Sequence, residues 1–341
     1  MKIILDAMGG DNAPEAPVLG AVEAAKTYGI EIVLVGRGED ILAVLKKHGI
    51  DNLPEGMEIS NADDVVDMHD DPASIIHKRK NSSMVIGLKM LADGLGDAFV
   101  SAGSTGALLT GATLLVKRVK GIRRAAMGPA MPNKAGGKTV IVDCGANAEC
   151  TPEFLLQFGL VGSVYAKKQL GIENPKVGLL NIGTEDSKGT ELQKETLRWL
   201  REAHTAGHLN FIGNIEAKEA IKGGCDVIVC DGFSGNVLLK TMEGVGSFAG
   251  SALKAMFKKN LLTKLAALCV MPGLNAFKAK LDPNKVGGTA FIGISRPVIK
   301  AHGSSNAEAI ENAMGQAVQV ARSGIIRDIE ENVALMKVER E

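Results

Sequence analysis

A charge surplus is what this chain most plainly lacks. Its 39 Lys and Arg balance 39 Asp and Glu over 341 residues, so no global field recruits nucleic acid. No RNA- or DNA-binding motif occurs either. Aromatic residues are scarce, at 4%. The five cysteines (Cys144, Cys150, Cys225, Cys230, Cys269) are odd in number and lack CxxC spacing, which argues against a disulfide framework and fits reduced thiols in a cytosol. The longest apolar stretches, such as Leu265–Met271, fall far short of the ~20 residues of a membrane span. Met1–Asp6 turns acidic too soon for a signal peptide and reads as a first strand. A cytoplasmic protein is expected.

Catalytic signatures are missing as well. Gly137-Lys138-Thr139 has Pro132 where a P-loop needs its first glycine, which disfavours a P-loop kinase. No GxSxG elbow occurs, which disfavours an α/β-hydrolase. Gly244-Val245-Gly246 and Ala249 mimic a dinucleotide fingerprint, but inside a helical pattern with no strand before them. His204 and His208 sit four apart with no Glu or Cys in register, so a helix C-terminus explains them better than zinc. No metal or cofactor is expected.

What the chain does have is glycine, 41 residues of it. Six times an apolar run ends in a polar residue and breaks into a glycine turn: Asp6–Asp11, Ser101–Ala107, Asp143–Asn147, Asn181–Gly189, Asp231–Asn236 and Ala301–Ser305. Continuous Val/Ile/Leu runs are the mark of buried parallel strands, and ligands of open α/β sheets bind outside the strands' carboxyl ends. The donors collected there are backbone N–H groups, hydroxyls, amides and a lysine, a set suited to phosphate.

Strands are expected at Ile3–Asp6, Ile32–Val35, Met57–Ser60, Ala98–Ser101, Thr139–Asp143, Val177–Asn181, Asn210–Ile212, Asp226–Cys230 and in a mixed stretch from Ala290 to Ala301. Helical patterns alternate with them, beginning with Ala16–Tyr28, which stops at Gly29, and Asp40–His48, which stops at Gly49. The alternation predicts a three-layer α/β/α fold with a mainly parallel sheet, one domain over 1–341. Asp63–Lys80 swings from acidic to basic and reads as a solvated loop, or else as a flap whose Arg79 or Lys80 meets an anion.

Among the turns, Gly9 and Gly10 before Asp11 bring N–H groups close to an anion. Asp6 then accepts N–H bonds, orients a lysine or repels the wrong charge state. Asp11 also reads as a helix cap ahead of Pro14. Ser101, Gly103, Ser104, Thr105 and Gly106 combine hydroxyls with a helix start and make the best phosphate cradle. Asp143 with Asn147, and Asn181 with Glu185 and Lys188, end two more strands. Lys188 is the one cation within the six turns, an apt partner for phosphate or a developing oxyanion. Asn236 opens a further helix with Lys240 one turn on. His302, alone after a strand, is more often structural than a general base.

From Gly244 to Leu281 there is no acidic residue but there are six lysines, including Lys254, Lys258, Lys259 and Lys264. Phe257, Leu261, Leu262 and Leu265 recur at helical spacing among them. A protruding basic amphipathic pair over 244–281 suits a membrane surface, an acidic partner, or a dimer interface.

The ordered blocks DAMGGD at Asp6, SAGSTGA at Ser101, DCGAN at Asp143, NIGTEDSKG at Asn181 and DGFSGNV at Asp231 resemble bacterial phosphate acyltransferases of the PlsX type, essentially end to end. The resemblance implies transfer of a long fatty acyl group from acyl carrier protein to inorganic phosphate. The acyl phosphate then feeds a membrane glycerol-3-phosphate acyltransferase in phospholipid synthesis. It also implies a homodimer and a fold similar to phosphotransacetylases and isopropylmalate-type dehydrogenases. In that chemistry Gly9-Gly10 and Ser101–Gly106 hold phosphate. Asn147, Asn181, Lys188 and Asn236 supply donors, and Asp6 and Asp143 organise them. The rivals are a short-chain phosphotransacetylase using coenzyme A, a nicotinamide-dependent dehydrogenase and a non-enzymatic carrier-binding adaptor.

Overall fold

The structure, a computed structural model, describes residues 1–67, 69–267, 270–271, 273 and 287–336. Its first half holds β1 (Lys2–Asp6), α1 (Glu15–Tyr28), β2 (Glu31–Gly36), α2 (Gly38–Lys47), β3 (Met57–Asn61), a short α3 (Ile75–Lys78), α4 (Ser83–Ala92), β4 (Ala98–Ser101) and α5 (Thr105–Gly111), which runs into a π turn at Ala112–Val116. Two short strands, β5 (Ala126–Met127) and β6 (Ala130–Pro132), lead to β7 (Lys138–Val142), α6 (Pro152–Leu170), β8 (Lys176–Leu180), α7 (Glu191–Thr205), β9 (Asn210–Ile215), α8 (Ala217–Lys222), β10 (Val227–Val229) and the long α9 (Gly232–Lys258). The chain closes with β11 (Thr289–Ile292), β12 (Val298–Lys300), α10 (Ala307–Arg322) and α11 (Ile325–Asn332).

The three-layer α/β/α arrangement follows the expectation, and the nine anticipated strand regions all form strands. The strands divide between two sheets, however, of order β3-β2-β1-β4-β12-β11-β5 and β6-β7-β10-β8-β9. The division falls where parallel pairing lapses: β11 runs antiparallel to β12 and to β5, and β6 antiparallel to β7. One cluster of buried side chains nonetheless runs from Ile3 and Leu5 through Phe158 to Val140, Val177 and Val227, so both sheets share a core. Burying such aliphatic side chains contributes roughly 1.5–3 kcal/mol each.

Because β1, β4 and β12 are parallel neighbours, their carboxyl ends emerge together, with Leu5 beside Val100 and Ser101 beside Lys300. In the second sheet β10 lies between β7 and β8, with Val229 beside both Val142 and Leu179. The turns at Asp143, Asn181 and Asp231 therefore leave side by side.

Helix α9 starts inside its glycine turn, four residues before the expected Asn236. Asp231 caps it, accepting from Ser234 N at 2.8 Å and Ser234 Oγ at 2.8 Å. Its far half projects from the body: a methyl added at Gly244, Gly246 or Gly250 would meet no atom within 4 Å. Residues 261–267 are helical again. Much of the expected second helix, including Leu268, Cys269, Lys278 and Lys280, lies outside the described residues.

Candidate active site

Two buried carboxylates, one per sheet, build the floor. Asp6, 2% exposed at the end of β1, accepts from Ser101 Oγ at 2.7 Å and from Met8 N at 3.2 Å. Ser101 Oγ in turn accepts from Gly103 N at 3.0 Å, so the carboxylate organises the cradle through one hydroxyl. Burial pushes the Asp6 carboxyl above its ordinary range, opposed by the Ser83 and Ser101 hydroxyls and by the N–H groups of Met8 and Gly9. The turns of this group are laced together: Asp11 N donates to Gly303 O at 2.8 Å and Ala301 N to Ser101 O at 2.9 Å. Gly10 has φ +104°, and a Cβ there would stand 2.9 Å from Ala102 Cβ and 3.0 Å from Gly303 O. Only glycine allows that backbone to pass so close.

Ser104 caps α5, its hydroxyl facing Ala107 N at 3.5 Å, with Thr105 and Gly106 opening the helix. Asp11 does not cap α1. Pro14 holds the N-cap position, without a side-chain bond, and Asp11 lies three residues before it, its N–H donated to the 303 turn. His302 is exposed, and its Nδ1 lies 2.9 Å from Ser304 Oγ and accepts from Ser304 N at 3.3 Å.

Asp143 plays the matching part in the second sheet. Fully buried, its Oδ1 accepts from Cys144 N at 2.6 Å, Met127 N at 2.8 Å and Ala146 N at 3.3 Å. Its Oδ2 accepts from Asn147 N at 2.6 Å and Asn147 Nδ2 at 2.9 Å. Burial raises this carboxyl's pKa, and the bonds from Met127, Asn147 and Cys144 oppose the rise. The second hydrogen on Asn147 Nδ2 goes to Ala125 O at 2.8 Å. Gly235 passes so near that a Cβ would overlap the Asp143 carbonyl oxygen. Cys144 and Cys230 are buried beside it, donating to Gly235 O and Asp143 O, and burial pushes both thiols up, away from nucleophilic use.

The neighbouring loop carries Lys188. Asn181 Nδ2 donates to Lys188 O at 3.1 Å, Lys188 N to Glu185 O at 3.1 Å, and Asn214 Nδ2 to Glu185 O at 3.1 Å. The loop backbone is thus pinned while the Lys188 side chain is exposed. On α9, Asn236 is exposed above Gly145, and Lys240 pairs with Glu243 at 2.7 Å. Lys240 stands close enough for its charge to act on Lys300 of the first group and on Cys144 of the second.

Over the cradle lies the 63–80 segment: Pro72 sits where a Cβ on Gly106 would point, at 3.0 Å. Arg79 is bound to Asp70 at 2.9 Å and Asp64 at 3.1 Å, so its guanidinium ties down this cover. A groove of about 660 Å³ along α7, lined by Asp186, Lys194, Leu197, Arg198 and Arg201, touches the Asn181–Gly189 turn only at Asp186 and none of the other five glycine turns. Sequence reasoning passed over Lys300. Its signal was a lysine closing an apolar strand, one residue before the turn counted from Ala301.

The geometry defines an α/β/α scaffold whose glycine turns gather two buried carboxylates at the strands' carboxyl ends. The fold aligns with a phosphotransacetylase from Streptococcus pyogenes at TM-score 0.66 and 19% identity, covering 94% of each chain. It aligns with a branched-chain phosphotransacylase from Enterococcus faecalis V583 at TM-score 0.60 and 14% identity, covering 95% of this chain and 100% of that one. At such identities the likeness is one of fold. A family model described as "Fatty acid synthesis protein" matches residues 1–328, and the chain belongs to that family. Relatives in it include the "Phosphate acyltransferase" of Alkaliphilus oremlandii, 48% identical over 98% of both chains, and that of Bacillus licheniformis, 42% identical over 98% of both.

Proposed function

We propose that the protein is an acyltransferase that moves a long-chain fatty acyl group from acyl carrier protein to inorganic phosphate. The observation that carries this is a floor of carboxylate-organised N–H and hydroxyl donors with exposed and buried ammonium groups beside it, in a chain alike over 98% of its length to a protein named phosphate acyltransferase. A phosphate oxygen attacks the thioester carbonyl carbon, forming the C–O bond and a tetrahedral oxyanion. Collapse breaks the C–S bond, expelling the carrier thiolate and leaving acyl phosphate. Phosphate is itself the nucleophile and thiolate a good leaving group, so the protein's task is positioning and charge stabilisation.

Gly9, Gly10 and the Ser101–Gly106 cradle hold phosphate in this reading. Lys188 and Asn236, exposed at the second group of turns, face the oxyanion. Asn147 is assigned to the scaffold rather than to the oxyanion, because both its amide hydrogens are spent on Asp143 and Ala125. Asn181, which holds the Lys188 carbonyl, positions that loop.

The projecting end of α9 serves the lipid side of the reaction. Leu261, Leu262 and Leu265 are 74%, 78% and 54% exposed, beside the exposed Lys254, Lys258, Lys259 and Lys264 and the half-buried Phe257. This surface fits an anionic membrane and the acidic carrier, and the apolar stripe at Val245 and Phe248 fits a second copy of the chain. The acyl phosphate then passes to a membrane glycerol-3-phosphate acyltransferase. Changing Leu261 and Leu262 to Glu is expected to abolish flotation with anionic liposomes, and undiminished flotation would count against the lipid contact.

Product trapping tests the reaction. With palmitoyl-carrier protein and radiolabelled phosphate, label should enter organic-extractable palmitoyl phosphate, and replacing the acylated carrier by the free carrier should abolish it. A short-chain enzyme would instead prefer acetyl-coenzyme A, and an adaptor would bind the carrier without turnover.

A further inference from the structure

Lys300 is the one buried cation among the described residues, 8% exposed at the last position of β12. A methionine or leucine would fill the same space without the cost of taking an ammonium out of water. What surrounds it is polar in a particular way. Its Nζ donates to Ala102 O at 3.3 Å and to Ala301 O, carbonyls that belong to two different turns. Ala102 lies between Ser101 and Gly103, the two residues that the Asp6 carboxylate organises. The charged groups that act on Lys300 are Asp6 at the end of β1, Asp11 in the next turn, and Lys240 from α9. Asp11 also faces the 303 turn, where its Oδ2 would lie 3.6 Å from a Cβ on Gly303.

Two acidic residues beside a phosphate cradle would repel a dianion unless a cation offsets them. We infer that Lys300 is the positioning residue of the phosphate site: its ammonium fixes the Ala102 and Ala301 carbonyls and offsets Asp6 and Asp11, so that the backbone at Ser104 and Thr105, beyond the Gly103 N–H held by Ser101, presents N–H groups to a dianion. The lysine acts through the backbone and through charge, beneath the cradle. It rests on the reading above that phosphate binds at these turns.

Burial pushes the Lys300 ammonium down to about 8, against the pull of Asp11 and Asp6 and together with the push of Lys240. Its charge is therefore present below about pH 8 and lost above it in the unliganded protein, while free phosphate is dianionic on both sides of the upper range.

The test is steady-state kinetics on the full chain with palmitoyl-carrier protein and phosphate. Lys300→Met is expected to raise the KM for phosphate about tenfold or more, leaving kcat and the carrier-protein KM within about threefold. Lys300→Arg, which keeps the charge, should restore part of the loss. In the unmodified protein the phosphate KM should climb between about pH 8 and pH 9.5, and in Lys300→Met it should be flat there. An unchanged phosphate KM in folded Lys300→Met, or an equal loss in both substrates with the native pH profile kept, would overturn the assignment. Should Lys300→Met not fold, calorimetry on the unmodified protein decides. Phosphate binding near pH 8.5, measured in buffers of different ionisation enthalpy, should take up a fraction of a proton, and no uptake would refute the role. Absence of any phosphate-dependent turnover in the unmodified protein would instead remove the functional reading itself.

Discussion

Lys188→Ala is expected to lower kcat on palmitoyl-carrier protein by about 10²- to 10³-fold, the usual loss on removing one oxyanion donor. The side chain is exposed, yet its backbone is held from both ends, by Asn181 at 3.1 Å and by Glu185 at 3.1 Å. One residue beyond Gly189, the Thr190–Gln193 capping box fixes the start of α7. An ammonium on so constrained a loop needs little reorganisation to meet charge as it develops. The KM for phosphate should move little, since the proposed phosphate site is the other group of turns. Lys188→Arg, of different reach and shape, should recover only part of the rate. A fall in kcat of less than about threefold in the alanine variant would remove Lys188 from the chemistry.

Asp143→Ala is expected to cost the fold about 3 kcal/mol or more in denaturant unfolding. Five donor bonds end on that carboxylate, from Met127, Cys144, Ala146 and, twice, Asn147. Each buried donor left unpaired costs about 1–3 kcal/mol, though the costs do not simply add. Met127 belongs to the edge of one sheet and Asp143 to the other, so the carboxylate also holds the two sheets in register. Activity should be lost along with stability, because the Asn147 and Gly232 backbones lean on the same point, Gly232 N donating to Asn147 O at 2.7 Å. A destabilisation below about 1 kcal/mol would mean that water satisfies these groups and that the carboxylate is not a structural hub.

The strong periods were legible in the sequence. β4 falls on its expected bounds, Ala98–Ser101, and α1 ends at the expected Tyr28, because an apolar run or a glycine stop leaves little freedom. β5 and β6 were not legible: two and three residues, split by Gly128-Pro129, carry no period, and the partner of β5, β11, is distant in sequence. For the same reason the division into two sheets could not be read, since it depends on which strands pair antiparallel. The glycine turns showed where polar groups gather, and composition alone could suggest an anion. Sequence could not show that Asn147 spends its amide on Asp143 and Ala125, nor that Arg79 is already bound to Asp64 and Asp70. Those facts arise from groups brought together across 4 to 22 positions. Lys300 escaped notice because a buried lysine and a surface lysine look alike in one sequence.

The central claim is that the glycine turns join phosphate to an acyl thioester. The initial rate of thiol release from palmitoyl-carrier protein, followed as phosphate is titrated from zero, tests it most directly. The account predicts no release above background without phosphate and a saturating rise with it, one thiol freed for each acyl phosphate formed. Release that ignores phosphate would mark a thioester hydrolase, and no release at any phosphate concentration would mark a binding protein; either result would contradict the account.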